Sequence, residues 1–166
     1  MKLLRVGQKG NEKPATLDKE GKIRDLSSHV KDLNPEHVNF ETISKLQSVD
    51  LTSLPELSSS ERVGSCVTKP GKFVAIGLNY SDHAAETGAE VPSEPIMFMK
   101  ATSCIAGPND NVEIVSGSKK LDWEVELELL LEKKQNIFQK IKLKLIFKLL
   151  ISDISSFVTR YGPIGP

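Results

Sequence analysis

The stretch that most constrains this chain is "LDWEVELEL", Leu121 to Leu129, in which apolar and acidic residues alternate without a break. Successive side chains of a β-strand point to opposite sides of its sheet. A strand here puts Asp122, Glu124, Glu126 and Glu128 on one face, and Leu121, Trp123, Val125, Leu127 and Leu129 on the other. The apolar face demands a partner layer, so the chain must build a β-rich core around it. The acidic face has two readings. Half-buried strands commonly carry a solvated polar face. Alternatively, carboxylates that repel one another are held together by a cation.

Composition narrows the class of protein. The chain has 166 residues, and 22 Lys plus Arg balance 22 Asp plus Glu. Net charge therefore gives no argument for a nucleic-acid or acidic partner. Cys66 and Cys104 form no CxxC pair, and two cysteines are too few for a disulfide framework. They read as reduced thiols of a cytoplasmic protein. The start, "MKLLRVGQKGNEK", lacks the apolar core of a signal peptide. No run of about 18 apolar residues offers a membrane span. Charge is nonetheless unevenly spread: Lys133 to Ile151 holds six lysines and no acid. Wound as a helix, that block spreads its apolar residues around most of the circumference and presents no clean membrane face.

The expected fold class is α+β and β-rich. Residues 1–62 read as a small N-terminal α+β domain with its linker. "KLLRVG", "KPATLD" and "GKIRDLS" are strand candidates separated by glycine-containing turns. "NPEHVNFETISKLQ" carries a helix signal after Asn34, with Pro35 at the first helical position. The Ser-rich "DLTSLPELSSSERVGS" reads as a connector. Residues 63–166 form a second domain. It opens with a strand at Phe73–Leu78, a short helix in "SDHAAETG" stopped by Gly88, and strands in "PIMFMKATS" and "VEIV". The acidic strand follows.

Two constellations could carry chemistry. His83 and Glu86 are three apart in the short helix and share a face. A carboxylate beside an imidazole orients it and raises its basicity, which makes a proton-transfer pair; the competing reading is an ordinary surface histidine. Glu124 and Glu126 offer oxygen ligands to a hard cation such as Mg²⁺ or Ca²⁺. A third oxygen ligand has a candidate in Asp153, in "SDIS". Unclustered cysteines and scattered histidines argue against soft metals.

"GKFVAIGLNYSDHAAETG", "EPIMFMKATSCIAGPND" and "LDWEVELEL", in this order and spacing, resemble the fumarylacetoacetate hydrolase family over roughly Val63 to Glu128. The resemblance implies a partial mixed β-sandwich roll behind the N-terminal domain. It implies a divalent cation, Mg²⁺ or else Ca²⁺ or Mn²⁺, on Glu124, Glu126 and Asp153. It implies water activation by His83 and Glu86, and a small-molecule 2-oxo or 2,4-diketo acid substrate of the acylpyruvate type. Such a substrate loses a C–C bond by hydrolysis while the metal stabilises the enolate. A homodimer is usual in the family, and neither nucleic acid nor membrane is an expected partner. The nearest relatives implied are bacterial 2,4-diketo-3-deoxy sugar acid hydrolases and ureidoglycolate lyase-like proteins.

The resemblance stops at Leu131. Residues 133–160 depart from the family pattern, Phe157 stands where the family commonly places an arginine, and "YGPIGP" arrives early. The lysine that serves the substrate in the family has no counterpart. A C-terminally truncated, non-catalytic remnant of such an enzyme is therefore the alternative expectation, as is ureidoglycolate lyase-type activity.

Overall fold

The protein is described by a computed structural model covering residues 1–119, 122–126, 128, 130 and 157–161. It is a mixed α+β structure rich in sheet and poor in helix. Two compact units form: Met1–Thr68 together with Ala106–Pro166, and Lys69–Ile105.

The first unit is built on a four-stranded antiparallel sheet in the order β1 (Lys2–Val6), β2 (Lys13–Leu17), β3 (Ile23–Asp25), β4 (Glu56–Leu57). Register follows the hydrophobic pattern. Leu4 stands opposite Ala15, and Leu17 opposite Ile23, which in turn faces Leu57. These residues collect with Val6 and Val63 into an apolar cluster on one side of the sheet. Leu3, on the alternate side of β1, joins a second cluster centred on Leu26, Val30, Leu33, Leu46 and Leu54. The sheet thus buries apolar side chains on both faces, the arrangement that fixes strand register most firmly. The β2–β3 turn is set by Asp18, whose Oδ1 accepts from the amides of Glu20 and Lys22, both at 2.9 Å. Gly21 closes that turn at φ +81°, a conformation that costs other residues a Cβ clash.

The helix α1 spans Phe40–Gln47, later than the sequence suggests. Asn34 does cap a turn: its Oδ1 accepts from the amides of Glu36 at 3.0 Å and His37 at 3.1 Å. The chain leaves that turn, and Asn39 makes the true N-cap, accepting from the Thr42 amide at 2.9 Å. Two asparagines five apart each satisfy orphan amides, and only the second opens a helix. The expected connector also holds more structure than its Ser content implies. Leu51–Ser53 is a single 3₁₀ turn, and Glu56–Leu57 adds the fourth strand just after Pro55.

An ion-pair network joins distant parts of this unit. Arg5, only 6% exposed, donates to both oxygens of Asp32, from Nε at 2.7 Å and from Nη2 at 3.2 Å. Glu12 accepts from Arg5 Nη2 at 3.3 Å and from Arg62 Nη1 at 2.8 Å. Arg62 in turn grips Asp110 with Nε and Nη2, both at 2.6 Å. The Gly107 amide donates to the same carboxylate at 2.8 Å. Gly107 lies so close to the Val63 carbonyl that a Cβ would not fit there. The network therefore anchors the "GPND" turn, 107–110, from which the chain runs on to the acidic strand.

The expected strand "VEIV" is not formed. Residues 112–115 are exposed and belong to no strand, with no ladder partner among the described residues. The acidic strand is formed as β7 (Asp122–Glu126) and pairs antiparallel with β8 (Phe157–Tyr161). It is shorter than the alternation suggests, since Glu128 lies beyond it and is exposed. Among the described residues no helix is long and apolar enough to cross a membrane.

Candidate active site

In the second unit, β5 (Phe73–Gly77) and β6 (Ile96–Lys100) form an antiparallel pair in full register. The helix α2 (Ser81–Thr87) lies between them in sequence. The link from β5 passes through Leu78 at φ 48°, an unfavourable conformation for a leucine that reverses the chain just before the helix. Ala84 is buried to 1% and is the inward anchor of α2. Gly88 ends the helix in the left-handed conformation, its amide reaching the Ala85 carbonyl at 3.2 Å. The Thr87 hydroxyl donates to the carbonyls of His83 at 3.0 Å and Ala84 at 3.1 Å, which tightens the last turn.

His83 and Glu86 stand on this helix, three apart and both exposed. Among the described residues no hydrogen bond joins their side chains. An exposed imidazole can take a proton from water without first being freed from another partner. The carboxylate one turn along is the group available to orient it.

Glu124 and Glu126 stand two apart on β7, so the backbone places both on one face, with Glu124 opposite Thr159 and Glu126 opposite Phe157. Each expected pair is thus assembled on one regular element. Two carboxylates two residues apart on a strand supply hard oxygen donors, the set that suits Mg²⁺, Ca²⁺ or Mn²⁺. Asp153, the expected third ligand, lies outside the described residues. Among the described residues no group of three His, Cys, Asp or Glu is gathered as a metal site.

The profile described as fumarylacetoacetate (FAA) hydrolase C-terminal matches residues 72–151, which take in α2 and β7. The chain is 54% identical over 127 residues to a protein of Burkholderia ambifaria strain MC40-6 named "Putative hydrolase", covering 76% of this chain and 45% of that protein. A Burkholderia multivorans relative matches at the same identity and coverage. A fumarylacetoacetate hydrolase from psychrophilic Exiguobacterium antarcticum shares the fold with a TM-score of 0.56 and 28% identity, over 76% of this chain and 45% of that one. Over residues 72–151 the chain is similar to the C-terminal domain of the fumarylacetoacetate hydrolase family.

A further solved structure, a "putative HpcE protein" from Mycobacterium smegmatis, aligns with a TM-score of 0.60 and 26% identity, over 76% of this chain and 44% of that one. The chain spans about 45% of the length of the curated relatives it matches. Against this family background one residue stands out that sequence reasoning left without a role. Lys100 ends β6, is only 9% exposed, and holds its ammonium 5.7 Å from the Phe73 ring centre and 5.9 Å from that of Phe98. Lysine is rarely buried without a reason. The signal was present as the Phe98-x-Lys100 spacing, but burial is a property of the hairpin and not of the motif.

The cysteines, Cys66 and Cys104, are both free. Burial, reinforced by the negative Glu128, pushes the Cys66 thiol up to about 11, so it is a poor nucleophile near neutrality.

Proposed function

We propose that this chain carries the cation-binding and water-activating parts of a hydrolase that cleaves C–C bonds in 2,4-diketo acids of the acylpyruvate type. The observation that supports this most is the pairing of the two motifs with two well-formed elements. His-x-x-Glu sits on α2 directly after a strand, and Glu-x-Glu sits on one face of β7. Glu124 and Glu126 would hold Mg²⁺, or Ca²⁺ or Mn²⁺ in its place, with Asp153 as a third ligand. When bound, the cation supplies positive charge that polarises the oxygens of a 1,3-dicarbonyl. His83 takes the proton from the attacking water at a ring nitrogen. Glu86 holds the ring in orientation and stabilises the imidazolium that results. His83 then returns the proton to the carbon that departs from the cleaved bond.

The same reading divides the chain into a leading domain, 1–62, and a catalytic domain, 63–166. It makes a small-molecule diketo acid the ligand, excludes nucleic acid and membrane as partners, and expects a cytoplasmic homodimer. A second reading, a cation-binding form without turnover, is favoured by the β5–β6 pair. Val74, Ile76, Met97 and Met99 share one face of that pair, and all are exposed. A hairpin with an uncovered apolar face is a weak support for a catalytic helix.

Turnover of acetylpyruvate by the purified chain, with Mg²⁺ and again with excess chelator, separates the two. Cation-dependent loss of substrate that is abolished in His83→Ala supports the hydrolase. Saturable cation binding with no turnover supports the second reading.

A further inference from the structure

The first unit contains a cavity of about 360 Å³, formed where the 29–37 loop meets α1. That volume lies within the range of about 300–1,000 Å³ common for small-molecule sites. Its wall is chemically one-sided. Val30 and Leu46, both buried, form an apolar floor together with Val49. The basic side chains are His29, Lys31, His37 and Lys45, and no acidic residue lines the cavity. Lys31 and the His29 ring make no ion pair or hydrogen bond among the described residues. The His37 ring is fixed by Nδ1, 2.8 Å from Asn34 Oδ1, which leaves Nε2 as its remaining polar atom. Lys45 does have a partner, Glu41, at 2.7 Å on the exposed surface of α1. That pair is held in water and is weak enough to be exchanged for a ligand.

We propose that this cavity binds a small organic anion: a carboxylate held by Lys31 and Lys45, carried on an apolar body that rests on Val30, Leu46 and Val49. Two features favour an organic acid over inorganic phosphate. The floor is apolar and is desolvated only by a ligand with apolar surface. His29, Lys31 and Lys45 are exposed whereas Val30 and Leu46 are buried, so charge meets a ligand at its solvent-facing end. The site belongs to the leading unit and does not depend on the cation or on His83.

The test is amide chemical-shift titration of the full chain with benzoate, with benzamide and inorganic phosphate as parallel probes. Saturable shifts of the Thr42, Leu46 and Val49 amides are expected with benzoate, and none with benzamide, which keeps the ring but lacks the charge. The double variant Lys31→Gln/Lys45→Gln, which removes two exposed charges and no packing, should weaken benzoate binding by at least about five-fold, the scale of one lost charged contact. No saturable shift with benzoate at about 10 mM, where even weak sites fill, would overturn the proposal. Equal binding of phosphate would remove the organic body from it, and unchanged affinity in the double variant would remove the lysines.

Discussion

Arg62 shows how a single side chain can decide the placement of the segment before the acidic strand. It holds Asp110 through two hydrogen bonds and Glu12 through a third. The Arg62 hydrogen bonds, with the Gly107 amide, hold the Asp110 carboxyl well below its ordinary value of 3.8, at about 2. Burial works to raise Glu12, but backbone amides and the Arg62 and Arg5 guanidiniums outweigh it and bring that group down as well. A carboxyl depressed in the folded state stabilises the fold above its unfolded value and loses that contribution as pH falls through the folded one. Asp110 should therefore stabilise the protein fully above about pH 4 and progressively less towards pH 2. Asp110→Asn should lower stability by about 1–3 kcal/mol near neutrality. Urea unfolding of the variant and parent at a series of pH values checks this: the gap between them should close as pH drops, and a constant gap would show that charge is not its source. At the other motif, His83→Ala should slow any cation-dependent turnover roughly 100-fold, the usual scale for a lost general base. A variant as fast as the parent in single-turnover kinetics would take His83 out of the chemistry.

Among the elements, the β5–β6 pair is the one most at odds with its surroundings. Val74 faces Met99 and Ile76 faces Met97 across the ladder, so four apolar side chains line one face, with Met97 69% and Met99 60% exposed. Contiguous exposed apolar surface on a short two-stranded sheet promotes self-association. Met97→Lys with Met99→Glu should reduce association and dye binding to exposed apolar surface while leaving the far-ultraviolet circular dichroism intact. Sedimentation velocity at rising protein concentration is the measurement, and unchanged association would place the sticky surface elsewhere. Elements were read from the sequence where their signals were local. The first three strands, the helix carrying His83 and the acidic strand follow from alternation and from glycine turns. The helix starts later than the sequence signal because Asn34 and Asn39 both carry capping chemistry, and only Asn39 opens the helix. "VEIV" has strand composition but no partner among the described residues, and pairing is not written in four residues. Pro55 and the neighbouring serines mask the two-residue pairing of β4 with β3, so no strand signal stands there in the sequence. The Arg5, Glu12, Asp32, Arg62 and Asp110 network is built from bonded pairs up to 50 apart in sequence, and no local pattern announces it.

At the scale of the whole molecule, burial is concentrated in the first unit. Its two apolar clusters enclose Leu26, Leu33, Leu46 and Val6 almost completely, whereas among the described residues of Lys69–Ile105 only Ala84 and Lys100 are buried. Stability follows burial, and segments with few buried contacts open locally at low cost. Hydrogen exchange read by mass spectrometry should find strong protection over β1–β3 and α1, and fast exchange over β5, α2 and β6. Uniform protection would mean that the second unit is covered in solution. Under the proposed function β7 carries a cation site, with Glu124 and Glu126 as its paired carboxylates. Calorimetric titration of the chain with Mn²⁺, beside Glu124→Ala and Glu126→Ala, tests it most directly. Saturable binding to the parent chain and a clear loss of affinity in each variant are expected, because a hard ion loses one of few anionic ligands. Affinity unchanged in both variants would contradict it.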